Sequence, residues 1–162
     1  MSPIERVTLV FDLDETLVST ISDRTKMKPN MDYNALIKID EKEFFISFRP
    51  FMIEMLRKLH RHFELILFTA GYRVYADAVV RILQRAVLNC DKPKLFDHVL
   101  AREFCTLTTF RKKASQLYHY KDLRVLMDGR SLSEMVLIDN RALSFGTLHL
   151  TNGIPIKDYN GD

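Results

Sequence analysis

The sequence is poor in several things that would each have pointed elsewhere. It holds two cysteines, Cys90 and Cys105, in 162 residues. Their separation offers no zinc-ligand spacing and no disulfide framework, so both read as ordinary reduced thiols. Neither precedes a loop ending in arginine that could cradle an anion, which removes a cysteine nucleophile. No apolar run approaches the roughly 20 residues that span a bilayer. The opening stretch MSPIERVTLVFDLDE reaches acidic residues without a signal peptide's apolar core, which places the chain in the cytosol or nucleus with no membrane partner. There is no internal repeat and no low-complexity tract. Charge of one sign is also scarce: the formal net charge is +3, with both signs interspersed. That suits an anionic substrate without demanding nucleic acid. Two basic groupings, Arg24-Lys26-Lys28 and Arg111-Lys112-Lys113, read as solvated loops. The phenylalanines recur at helix and strand spacing and read as core, not as a base-stacking surface.

What is present is the composition of one globular domain, 47% hydrophobic and 28% charged. Arg6 to Asp12, Phe63 to Thr69 and Met135 to Asp139 are short apolar, β-branched runs of the kind that form buried parallel strands. The helical spacing of Phe51, Met55, Leu56 and Leu59 predicts a helix with Pro50 in its first turn. A second helix carries Tyr75, Val79, Ile82 and Leu83 on one face. Ala35 to Asp40 and Glu43 to Phe48 alternate across an Asp-Glu-Lys turn and predict a hairpin. Ser19 to Tyr33 reads as a loop, and Leu95 to Leu100 as a short strand. Glu103 to Tyr120 reads as an irregular or partly helical insertion. Leu148 to Ile156 reads as a last strand before a Gly-Pro turn. Strands alternating with helices predict an α/β fold: a doubly wound, Rossmann-like parallel sheet with a small β-hairpin insertion and no large cap.

Such sheets bind ligands at the carboxyl ends of their strands. Three apolar runs end there in polar groups: Asp12 with Asp14, Thr69, and Asp139 with Asn140. Two carboxylates at i and i+2 leaving a strand can face one cleft. Close like charges need a cation between them or a division of acid and base roles. An all-oxygen set completed by Asp139 suits a hard cation such as Mg2+. An aspartate can also attack phosphorus and form an acyl-phosphate. Thr69 can donate a hydroxyl to a phosphoryl group, and a lysine from a neighbouring helix can supply positive charge. His60 and His62, at i and i+2, point to different helix faces and make no metal pair.

The ordered motifs LVFDLDETLV (9–18), LFTAGYRVYAD (67–77), YKDL (120–123) and VLIDN (136–140), with FRP (48–50) and AREFC (101–105), resemble the haloacid-dehalogenase superfamily. Within it the chain is similar to the small C-terminal-domain, NLI-interacting-factor-like phosphatases, across nearly its whole length. The resemblance implies one phosphatase domain over 1–162. It implies a magnesium-dependent phosphoserine phosphatase acting through an aspartyl-phosphate, on the RNA polymerase II tail or a similar phosphoprotein. Asp12 would be nucleophile and metal ligand. Asp14 would be general acid/base with its carbonyl on the metal, positioned by Thr16. Thr69 and Lys121 would hold the phosphoryl group, with Lys112 or Lys113 as the alternative lysine. Asp139 would bind Mg2+ beside Asn140. Arg102, Tyr72 and Tyr75 would face the substrate, with Ile37 able to join the tyrosines in an apolar pocket. The sequence departs from the branch in a longer 105–121 segment, and in Thr20-Ile21-Ser22 where an aromatic residue is expected. It also stops without the branch's closing helix, as a short variant or a trimmed chain would. Two other activities fit parts of the pattern: a non-catalytic scaffold like the mitochondrial import receptor, and a small-metabolite phosphatase.

Overall fold

A computed structural model of the chain describes residues 6–27, 32–90, 92–110, 113–145 and 150–161. The first apolar run becomes β1 (Thr8–Phe11). Then come β2 (Val18–Ile21), β3 (Ala35–Ile39), β4 (Lys42–Phe48), α1 (Met52–Leu59), β5 (Glu64–Phe68) and α2 (Arg73–Leu88). The remainder is β6 (His98–Leu100), β7 (Thr106–Phe110), β8 (Lys113–Tyr120), β9 (Met135–Asp139), α3 (Ala142–Phe145) and β10 (Gly153–Pro155).

Five strands form the central sheet in the order β10-β9-β1-β5-β6. Each neighbouring pair is parallel. Period-2 alternation sends successive side chains to opposite faces. Phe11, Leu65 and Leu67 therefore join Met52 and Leu56 of α1 and Val79, Leu83 and Val87 of α2. Val10, Ile66, Phe68 and Leu137 line the other face, which is covered by Leu123 and Leu126 of a short 3-10 turn. Both longer helices thus lie on one face. Burying one such leucine contributes about 1.5–3 kcal/mol.

Several expectations need correction. Pro50 lies ahead of α1 and not in its first turn; Phe51 intervenes as N-cap with φ 63°. The expected hairpin forms, but β2 adds a third strand to it, taken from the stretch read as a loop. The insertion is an antiparallel sheet of order β2-β4-β3. Residues 106–110 and 113–120 are neither irregular nor helical: β7 and β8 pair antiparallel, Thr106 opposite Tyr120. The last strand is shorter than expected and contains both Gly153 and Pro155, following a 3-10 turn at Leu150–Asn152. Of the basic groupings, Arg24 and Lys26 sit exposed on a 3-10 turn. Lys28, Arg111 and Lys112 lie outside the described residues. Among the described residues no helix is long and apolar enough to cross a membrane.

Candidate active site

The chain leaves β1 through a tight turn built by its own leucines. Leu13 and Leu17 are buried, and the amides of Leu17 and Val18 both donate to the Leu13 carbonyl. Glu15 between them takes the left-handed conformation, φ 61°. With the leucines drawn into the core, Asp12 and Asp14 line a cavity of about 610 Å3 at the carboxyl edge of the sheet. Thr69 directly follows β5 and Asp139 ends β9 in the same cavity.

The centre of this site is an ionic bridge. Lys121 Nζ lies 2.5 Å from Asp12 Oδ1 and 2.6 Å from Asp139 Oδ2, with all three side chains buried. Burial alone would depress the lysine, but Asp12 and Asp139 overcome it and raise its pKa. Burial raises the Asp139 carboxyl above its usual range, opposed by Lys121. The lysine does not come from a helix, as expected, but from the residue just after β8, where its amide donates to the Ser144 carbonyl at 2.8 Å.

Asp14 is turned away from that bridge. Tyr75 Oη donates to Asp14 Oδ1 at 2.5 Å and stands 2.7 Å from Thr20 Oγ1. Burial pushes the Asp14 carboxyl up to about 6, with Tyr75 pulling the other way. The Tyr75 hydroxyl is itself raised by burial and by Asp14. Tyr75 is therefore the partner of Asp14, with its hydroxyl already engaged. Tyr72 is 68% exposed and stacks under the Arg102 guanidinium, 3.9 Å from the ring centroid. Arg102 is held by Nε donating to the Ala70 carbonyl at 2.6 Å and reaches the cavity wall. Ile37 is packed against the main core.

Thr16 lies behind the site and links two strand ends. Its hydroxyl donates to Asp12 Oδ2 at 2.8 Å and accepts from the Asn140 amide at 3.1 Å. Asn140 Nδ2 donates to Glu15 Oε2 at 2.8 Å and to Asp158 Oδ1 at 3.1 Å. Thr69 Oγ1 accepts from the Gly71 amide at 2.9 Å. Lys112 lies outside the described residues, and Lys113 begins β8 at the far end from Lys121. Among the described residues no three His, Cys, Asp or Glu side chains are grouped to hold a metal unaided.

Sequence reading missed Glu15, Arg49, Tyr159, Tyr118 and His119. The last two line the cavity from the β8 strand. Arg49 and Glu15 stand inside quoted motifs, FRP and DLDET, where their presence was the available signal.

A parallel sheet that gathers Asp12, Thr69, Lys121 and Asp139 at its carboxyl edge is the architecture of the haloacid-dehalogenase-like α/β proteins. The chain belongs to the NLI interacting factor-like phosphatase family, whose model matches residues 7–162. It is 37% identical over 158 residues to the CTD small phosphatase-like protein 1 of Caenorhabditis elegans, covering 95% of this chain and 28% of that protein. It is 32% identical to the human carboxy-terminal domain RNA polymerase II polypeptide A small phosphatase 2, covering 97% of this chain and 51% of the relative. The fission yeast RNA polymerase II CTD phosphatase Fcp1, in a beryllium fluoride complex, superposes with a TM-score of 0.70 at 26% identity. That match covers 95% of this chain and 42% of Fcp1. The chain thus spans about a quarter to a half of these proteins.

Proposed function

We propose that the chain is a phosphoprotein phosphatase domain, residues 1–162, acting on phosphoserine in the RNA polymerase II tail or a similar phosphoprotein of the nucleus or cytoplasm. The observation that carries this reading is the buried Asp12–Lys121–Asp139 bridge beside Asp14.

The donor set fits Mg2+. Asp12 and Asp139 share one buried lysine and Asp14 stands beside them, and burial raises Asp14 and Asp139, so the site favours added positive charge. The donors are hard oxygens. Asp12, Asp139 and the Asp14 carbonyl would hold the ion, which when bound neutralises charge on the phosphoryl oxygens.

The residues divide the remaining work. Asp12 attacks phosphorus; the P–O bond to the serine oxygen breaks, and Asp14 delivers its proton to that oxygen. Asp14 then takes a proton from water as the water oxygen attacks phosphorus, breaking the P–O bond to Asp12 and releasing phosphate. Lys121 and Thr69 offset phosphoryl charge. Thr16 and Lys121 orient the nucleophile, and Asn140 fixes Thr16. Arg102 and Tyr72 form the rim that meets the protein substrate.

The test is phosphate release from an aryl phosphate and from phosphoserine heptad peptides, with and without Mg2+, beside Asp12→Asn. Mg2+-dependent turnover lost in Asp12→Asn is expected. A folded, Mg2+-loaded chain that hydrolyses neither substrate would sink the reading and favour a binding scaffold.

A further inference from the structure

We propose that Arg49, together with the Lys157–Tyr159 segment, clamps the turn between β1 and β2, making Arg49 a positioning residue for phosphoryl transfer; this rests on the phosphatase reading above.

The turn has a conformational cost to meet. Glu15 sits at φ 61°, a left-handed region that strains a non-glycine residue and persists where its surroundings hold it there. What holds it comes from two distant segments. Arg49 stands just after β4, with its amide donating to the Leu17 carbonyl at 3.0 Å. Its guanidinium collects three backbone carbonyls: Nε to Thr16 at 2.5 Å, and Nη2 to Glu15 at 2.9 Å and to Lys157 at 2.6 Å. The Tyr159 amide donates to the same Glu15 carbonyl at 2.8 Å. Tyr159 is buried, its hydroxyl donates to the Phe48 carbonyl at 2.9 Å, and its ring lies 5.2 Å beneath the Arg49 guanidinium. Asn140 closes the ring by bridging Glu15 and Asp158.

The residues so held are the neighbours of the reacting groups. Glu15 follows Asp14 directly, and Thr16 donates to the nucleophile. The Glu15 carbonyl, in the peptide that joins Glu15 to Thr16, accepts two of these bonds, so loosening the clamp acts on the turn one residue beyond Asp14. Asp12 stays anchored from outside the turn by the buried Lys121 ammonium, whereas Asp14 is held by the Tyr75 hydroxyl, so the group most displaced is the proton donor to the leaving oxygen. A misplacement of about 1 Å far from the chemistry can cost 10²-fold in rate.

This gives a signature that mere destabilisation lacks. A nitrophenolate leaves with little help from an acid, whereas a serine alkoxide needs the proton. The experiment measures kcat and KM on 4-nitrophenyl phosphate and on a phosphoserine peptide, for the full chain and for Arg49→Met, Arg49→Lys and Tyr159→Leu, beside thermal midpoints. Arg49→Met is expected to lower kcat on the peptide about 100-fold, to spare the aryl ester by about tenfold relative to the peptide, and to move KM by less than about twofold. Arg49→Lys should not restore the peptide rate, because one ammonium cannot reproduce a planar fork onto three carbonyls. Tyr159→Leu keeps the backbone bond to Glu15 and should show the same substrate asymmetry in milder form. If Arg49→Met does not fold, Arg49→Lys and Tyr159→Leu carry the test. Equal losses on both substrates, full rescue by lysine, or a change confined to KM would overturn the proposal. A wild-type chain inactive on both substrates would overturn the phosphatase reading itself, a result separable from any of these.

Discussion

Lys121 and Asp12 lie 109 positions apart in sequence, yet their side chains meet at 2.5 Å in a site where neither is more than 9% exposed. The ammonium also serves Asp139, so one cation compensates two buried carboxylates. Removing one partner of a buried ion pair typically costs about 3–5 kcal/mol, because the charge left behind is uncompensated. Lys121→Met should therefore abolish turnover and lower unfolding free energy by about that amount in Mg2+-free urea titration. Unchanged stability would mean that Asp12 and Asp139 are neutralised in another way.

Thr16 offers a gentler perturbation of the same nucleophile. Thr16→Val keeps the shape and deletes the hydroxyl that donates to Asp12 Oδ2 and accepts from Asn140. The loss of a hydrogen bond to a charged group is worth about 1.5–3 kcal/mol. Realised in the transition state, that is a fall of roughly ten- to 150-fold in kcat/KM. A variant with wild-type kinetics would show that Thr16 packs the turn and does not orient Asp12.

Gly71 tests how tightly the phosphoryl end of the cleft is built. A β-carbon there would meet Tyr75 Cδ1 at 3.1 Å and Thr69 Oγ1 at 3.2 Å, so one or both must yield by tenths of an ångström. Those atoms belong to the residue that bonds Asp14 and to the hydroxyl just after β5. Gly71→Ala should cost about tenfold in kcat with a small change in thermal midpoint, since geometry in the cleft changes more than the core does. A large stability loss with normal kcat would place the strain elsewhere.

The parts of this molecule that could be read from sequence share one physical property. β1, β5 and β9 are buried on both faces, so each appears as an unbroken apolar run, and the first polar residue after it marks the carboxyl edge. Asp12, Thr69 and Asp139 were visible for that reason. β2 was hidden because Val18-Ser-Thr-Ile carries two hydroxyl residues and gains its strand identity only from pairing with β4. The β7–β8 hairpin was hidden likewise, since its polar strands are defined by each other and not by burial periodicity. Arg49 was legible only as a motif letter. Its bonds end on backbone carbonyls, and an acceptor common to every residue leaves no trace in side-chain pattern.

Glu64 provides the pH test away from the active site. It is buried at the start of β5, accepting from Thr8 Oγ1 at 2.5 Å and from Arg130 Nη2 and Nε at 2.5 and 2.7 Å. Burial works to raise its carboxyl, but the bonds from Arg130 and Thr8 outweigh it and hold the group below its ordinary value of 4.5. The unfolded chain therefore binds the proton more readily than the folded one. Its contribution to stability is fully present above the unfolded carboxyl's value and is lost as pH falls through the lower folded value. Glu64→Gln removes both the charge and this dependence. The stability gap between wild type and Glu64→Gln, measured by urea unfolding, should be constant above about pH 6 and narrow steadily below 4.5. Because Arg130 is almost equally buried, the neutral amide also leaves a guanidinium uncompensated, so the gap at neutral pH should be large, about 3–5 kcal/mol. A gap that widened on acidification would reverse the sign of the coupling and mean that burial, not Arg130, governs Glu64.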